Sequence, residues 1–128
     1  MRFWMVAVIF TGHLFGAQWF HSFSEASKVA EKSNRYLLIM LVQEGCPTCE
    51  YMKEKVFPLP EVQGRFESSF VLLEVDSDER GDLPARFKAR GTPTFYILKP
   101  DGKPAGRPIF GGMDSDNFLR LISERIGR

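Results

Sequence analysis

The chain has two cysteines in 128 residues, and they stand three positions apart, as Cys46 and Cys49 in the stretch EGCPTCEYMKEKVF. A pair at this spacing serves as a structural disulfide, as half of a metal site, or as a reagent for thiol-disulfide exchange. A disulfide stabilises mainly by closing a loop in the unfolded chain, and a loop this short removes little entropy. A structural zinc takes four ligands, and the chain adds only His13 and His21, neither close to the pair in sequence. Copper accepts fewer and softer ligands, yet beyond Met52 no His or Met pattern accompanies the cysteines. Exchange needs an attacking thiolate and a second thiol that resolves the mixed disulfide. A helix N-terminus stabilises a thiolate through its free N–H groups and its dipole. On such a helix, a spacing of three sets the second thiol one turn further along on nearly the same face.

Exchange therefore requires a helix that opens at Cys46. Pro47 suits a first helical turn, where its missing N–H costs nothing, and no further breaker follows until Pro58. Upstream, the continuously apolar run YLLIMLV (36–42) predicts a strand buried on both faces. Ser22 and Glu25 form a capping box for a first helix reaching about Asn34. Downstream, a loop and short helix lead to a second strand over Phe70 to Asp78, and another short helix is expected over Leu83 to Ala89. Thr94 to Lys99 predicts a strand that turns at Pro100, Asp101 and Gly102 into a return strand within RPIFGG. A last helix begins at Asp114 or Ser115, carries Phe118, Leu121, Ile122 and Ile126 on one face, and stops at Gly127. This order predicts one α/β domain, a mixed sheet with helices on both faces.

Residues 1–17 differ from the rest. Arg2, the apolar run FWMVAVIF and then TGHLFGA have the layout of a secretory signal peptide. Ala17 is small as a cleavage site requires, but Phe15 stands where a second small residue belongs, so an uncleaved membrane anchor stays open. As a helix, residues 3–20 would cover roughly 27 Å at about 1.5 Å per residue, slightly short of a roughly 30 Å hydrocarbon core. The expected organisation is a leader or anchor over 1–17 and a folded domain over 18–128. Disulfides persist outside the cytosol, so export would suit the cysteine pair. The net charge of +1, with acidic and basic residues interspersed, gives no footprint for nucleic acid. The twelve Phe residues suit a core better than a binding stripe.

CPTC, the element RGTPTFYIL at 90–98 and the closing helix together resemble the thioredoxin superfamily, over nearly all of the chain after the leader. The resemblance implies a thioredoxin fold and a thiol-disulfide oxidoreductase. In it Cys46 attacks, Cys49 resolves, Pro93 is cis beside the disulfide, and the backbone of Thr92 pairs with an incoming peptide. The leader and the approach to the first strand look most like exported bacterial thioredoxin-like proteins, including the C-terminal domain of the membrane carrier that keeps periplasmic thiols reduced. This implies a monomer in the periplasm, free or anchored, that needs no metal or diffusible cofactor. It would act on exported thiol or disulfide proteins and draw electrons from a membrane or periplasmic redox partner. Two positions depart from the family's pattern. Gly45 stands where an aromatic residue usually precedes the first cysteine, and Met40 where a buried acid usually serves the second. Glu44 and Glu50, flanking the motif beside Pro47 and Thr48, are the nearest carboxylates in sequence. They are either solvated charges or groups that oppose thiolate formation, and the latter would tilt the protein toward a reductase or isomerase rather than an oxidase.

Overall fold

The structure, a computed structural model, describes residues 16–127. The expected leader thus lies outside the described residues, except for Gly16 and Ala17. In chain order the elements are β1 (Trp19–Phe20), α1 (Phe23–Ser33), β2 (Tyr36–Val42), α2 (Pro47–Tyr51) running into a π-helical turn (Met52–Val56), α3 (Pro60–Ser69), β3 (Phe70–Asp76), β4 (Thr94–Leu98), β5 (Ile109–Phe110) and α4 (Ser115–Ile126). Among the described residues no helix is long and apolar enough to cross a membrane.

The sheet order is β1-β3-β2-β4-β5. β3 runs parallel to both β1 and β2, whereas β4 is antiparallel to β2 and β5 to β4. β2 lies in the middle, and its side chains alternate between two cores. Leu38 and Met40 face a cluster with Cys49, Val56, Phe66, Phe95, Phe118 and Ile122, which brings α2, α3 and α4 onto one face. Leu37, Ile39 and Leu41 face Ala26 and Ala30 of α1, together with Leu83 and Phe87. Burial on both faces is why that run is apolar without alternation, and it fixes where the end of β2 delivers Cys46.

Helix ends follow their local signals. Asn34 closes α1 in the left-handed conformation, and Asp114, rather than Ser115, caps α4 by accepting from the Asn117 N–H at 2.9 Å. At α1 the Ser22 Oγ accepts from the Glu25 N–H at 3.3 Å, but the N–H groups of Phe23 and Ser24 go to the Asp82 carboxylate at 2.7 and 2.9 Å. The first turn is thus closed from a distant loop.

Four elements differ from the sequence reading. Residues 83–89 form turns rather than a helix. Leu83 and Phe87 are both buried at a helix-like interval, yet the Arg80 guanidinium takes the carbonyls of Pro84 and Phe87 at 2.8 and 2.6 Å. β1 is an unexpected two-residue strand, and the second strand ends at Asp76 instead of Asp78. The helix after the cysteines also changes pitch, with the Phe57 N–H donating to the Met52 carbonyl five residues back. Such π turns occur mostly as single turns inside helices, often at functional sites. Here the turn sets the Phe57 ring among Trp19, Phe66 and Phe118, at centroid distances of 5.3, 5.4 and 5.7 Å.

Candidate active site

Cys46 is the N-cap of α2, with extended backbone (φ −96°, ψ 104°) and Pro47 in the first turn. It is bonded to Cys49 in a disulfide with the Cα atoms 5.3 Å apart. The two sulfurs are unequally placed, Cys46 being 9% exposed and Cys49 2%. An attacking thiol has to meet a macromolecular substrate, and of the two Cys46 is the more accessible. The Cys49 N–H donates to the Cys46 Sγ at 3.1 Å, and the Thr48 hydroxyl lies 3.5 Å from the same sulfur. A donor aimed at a sulfur, as the Cys49 N–H is, stabilises its charged form once the disulfide is opened.

The loop before β4 meets the cysteines from the other side. Its Thr92–Pro93 peptide bond is cis. The Thr92 carbonyl oxygen lies 3.5 Å from the Cys46 Sγ and accepts from the Thr48 hydroxyl at 3.1 Å. The Pro93 carbonyl accepts from the Gly111 N–H at 2.8 Å, which ties the loop to the end of β5. Thr94 is fully buried, and its hydroxyl donates to the Gly91 carbonyl at 2.7 Å while accepting from the Arg90 N–H at 3.3 Å. A Cβ on Gly112 would stand 3.3 Å from the Thr48 Cβ, so glycine there lets the strand end approach α2. The sequence reading did not single out Thr94 or Gly112. A threonine in a strand reads as an ordinary β former, and nothing local tells that Gly112 faces Thr48.

Cys46, Cys49, Thr48, Thr92 and Pro93 therefore converge. Glu44, Pro47 and Glu50 are exposed, and neither carboxylate makes an ion pair or side-chain hydrogen bond among the described residues. Met40 is fully buried in the cluster that holds Cys49. Gly45 takes φ +76°, and a Cβ there would meet nothing within 4 Å. Among the described residues no three His, Cys, Asp or Glu side chains gather as metal ligands.

A cysteine pair at the start of a helix, fed by a doubly buried central strand and faced by a cis proline, defines a thioredoxin-fold domain with a redox-type site. Residues 23–126 match the thioredoxin-like domain family, and the chain belongs to it. It is 27% identical over 94 residues to protein disulfide isomerase-like 2-2 of Oryza sativa subsp. japonica, covering 73% of this chain and 25% of that protein. To the thiol:disulfide interchange protein DsbD of Haemophilus influenzae it is 27% identical over 103 residues, covering 77% of this chain and 18% of the other. The chain thus spans a quarter or less of the length of these two relatives. Among solved structures, a thioredoxin from Thermus thermophilus superposes with a TM-score of 0.73 at 27% identity, over 88% of this chain and 94% of that one.

Proposed function

We propose that this protein is a thiol-disulfide oxidoreductase working on exported proteins, in the reducing or isomerising direction. The observation that carries the reading is the graded burial of the pair, with Cys46 the more accessible at 9% beside the Thr92 carbonyl and Cys49 the deeper at 2%. In the reduced protein the Cys46 thiolate attacks a substrate disulfide, breaking its S–S bond and releasing one substrate thiolate. The Cys49 sulfur then attacks Cys46, which closes the Cys46–Cys49 disulfide and releases the second substrate sulfur. Two electrons pass to the substrate, and a redox partner outside this chain restores the dithiol. Thr92 and Pro93 offer their backbone to the strand that carries the substrate cysteine.

Export is supported by the composition of residues 1–17 and by the likeness to DsbD. Direction is supported by Glu44 and Glu50, whose negative charge beside the motif opposes a thiolate and so disfavours a strongly oxidising pair. A Cys49→Ser variant should accumulate mixed disulfides through Cys46, seen as gel bands that vanish on reduction and in a further Cys46→Ser change. Equilibration with glutathione should place the potential nearer the roughly −270 mV of a thioredoxin than the roughly −120 mV of a strong oxidant. Absence of trapped species would overturn the exchange reading, and a potential at the oxidant end would overturn the direction.

A further inference from the structure

Cys49 must lose its proton to resolve a mixed disulfide, and at 2% exposure it has little contact with bulk water. Burial disfavours the thiolate, and its neighbours in the core, Met40, Met52 and Phe95 among them, are apolar. The proton needs an acceptor on the inner side of α2.

Met40 packs in the cluster that holds Cys49 and also lines a cavity on which Glu74 stands. Glu74 is opposite Met40 in the β2–β3 register, and strand alternation puts it on the same face as Leu72, a member of the Cys49 cluster. Lys53, one turn beyond Cys49 and on nearly the same helix face, grips the Glu74 carboxylate in an ion pair whose side chains are 38% and 19% exposed. Lys53, Glu74 and Met40 line one cavity of about 570 Å³, with Trp19, Phe57 and Gln63 on its other walls. That volume holds several waters beside polar partners, as a water relay requires. Other titratable groups face the pair from each neighbouring element. Glu67 of α3 lines the cavity and is exposed. The His21 Nδ1, before α1, lies 3.3 Å from the Glu74 carbonyl oxygen, and Asp76, further along β3, accepts from the Asp78 N–H at 2.7 Å. Glu50 and Glu54, beside Cys49 and Lys53 on their helix, point to solvent.

We propose that Glu74, held by Lys53, accepts the Cys49 proton through water in this cavity; the inference rests on the exchange reading of the site. The Cys49 S–H yields its proton to the carboxylate by way of water, and the Cys49 sulfur bonds to the Cys46 sulfur. The bond between Cys46 and the substrate breaks, and the substrate sulfur leaves with the electron pair. The proton then passes from Glu74 through the cavity to the departing thiolate or to solvent.

The test uses the reduced full chain and a limiting amount of dithiobis(nitrobenzoate). The first coloured thiolate reports attack by Cys46, and the second reports resolution by Cys49. Glu74→Gln should slow the second release by about a hundredfold near neutrality, displace its pH profile upward and leave the first release unchanged. Glu74→Asp should recover part of the rate. Lys53→Met, which frees the carboxylate without removing it, should slow the second release alone and keeps the test open if Glu74→Gln does not fold. A second release with the same rate and pH profile in all three variants, or one slowed equally at every pH and not recovered by Asp, overturns the proposal. No second release from the unaltered chain would instead sink the exchange reading itself.

Discussion

Gly45 holds φ +76° immediately before Cys46, and a Cβ added there would meet nothing within 4 Å. The demand for glycine is therefore one of backbone conformation and not of space. Gly45→Ala should lower stability by about 1–2 kcal/mol, the cost of a left-handed L-residue, while thiol exchange proceeds at close to the original rate. Urea denaturation beside a turbidimetric insulin-reduction assay separates the two, and unchanged stability would refute the backbone argument. In sequence Gly45 registered only as a missing aromatic residue, because conformation is not written in a residue's identity when its neighbours are unknown. The cysteines were legible for the opposite reason: their spacing, the proline between them and the apolar strand before them are all local. Thr94, Gly112 and the Lys53–Glu74 pair were not, since each acts through a partner distant in sequence.

α1 owes its start to a residue far along the chain, in the loop after β3. The Asp82 carboxylate accepts from the Ser24 and Phe23 N–H groups and from the Ser22 hydroxyl. Those bonds, the one from Ser24 foremost and then that from Phe23, hold Asp82 below its ordinary value of 3.8, against a smaller opposing effect of desolvation. A carboxyl depressed in the folded state adds stability that is fully present above its unfolded value and fades as the pH falls through its folded one. Asp82→Ala should therefore melt at a lower temperature than the unaltered chain at neutral pH, and the gap should close as the pH drops below 3.8. Thermal melts across pH 2 to 7 test this on the ordinary carboxylate range; a gap independent of pH would mean that Asp82 acts by shape alone. The sequence showed Ser22 and Glu25 as the cap and gave no sign of Asp82, because a capping box is a local pattern and a clamp from a loop is not. The turns at 83–89 were misread for a related reason: burial of Leu83 and Phe87 mimics a helical interval, whereas Arg80 takes the carbonyls a helix would use internally.

Across the whole molecule, folding and oxidation form one thermodynamic cycle, so whatever the fold adds to closing Cys46–Cys49, the closed disulfide returns to the fold. Loop entropy contributes little over so short a span, which leaves the site's treatment of sulfur to set the difference. The Cys49 N–H beside the Cys46 Sγ favours the open, thiolate form. Burial of both sulfurs and the exposed carboxylates Glu44 and Glu50 favour the closed, neutral one. At the surface the carboxylates act weakly and are screened by salt, so burial, which salt does not screen, decides the balance in favour of the disulfide. The oxidised domain should then resist urea more than the reduced one by at least about 1.4 kcal/mol, equivalent to about 30 mV of potential, and raising the salt concentration should change that margin only slightly. Paired denaturation curves, one with excess dithiothreitol and one without, measure it directly. A reduced form that proved the more stable would place the pair among oxidants, and would do so even if Cys49→Ser trapped substrates as expected.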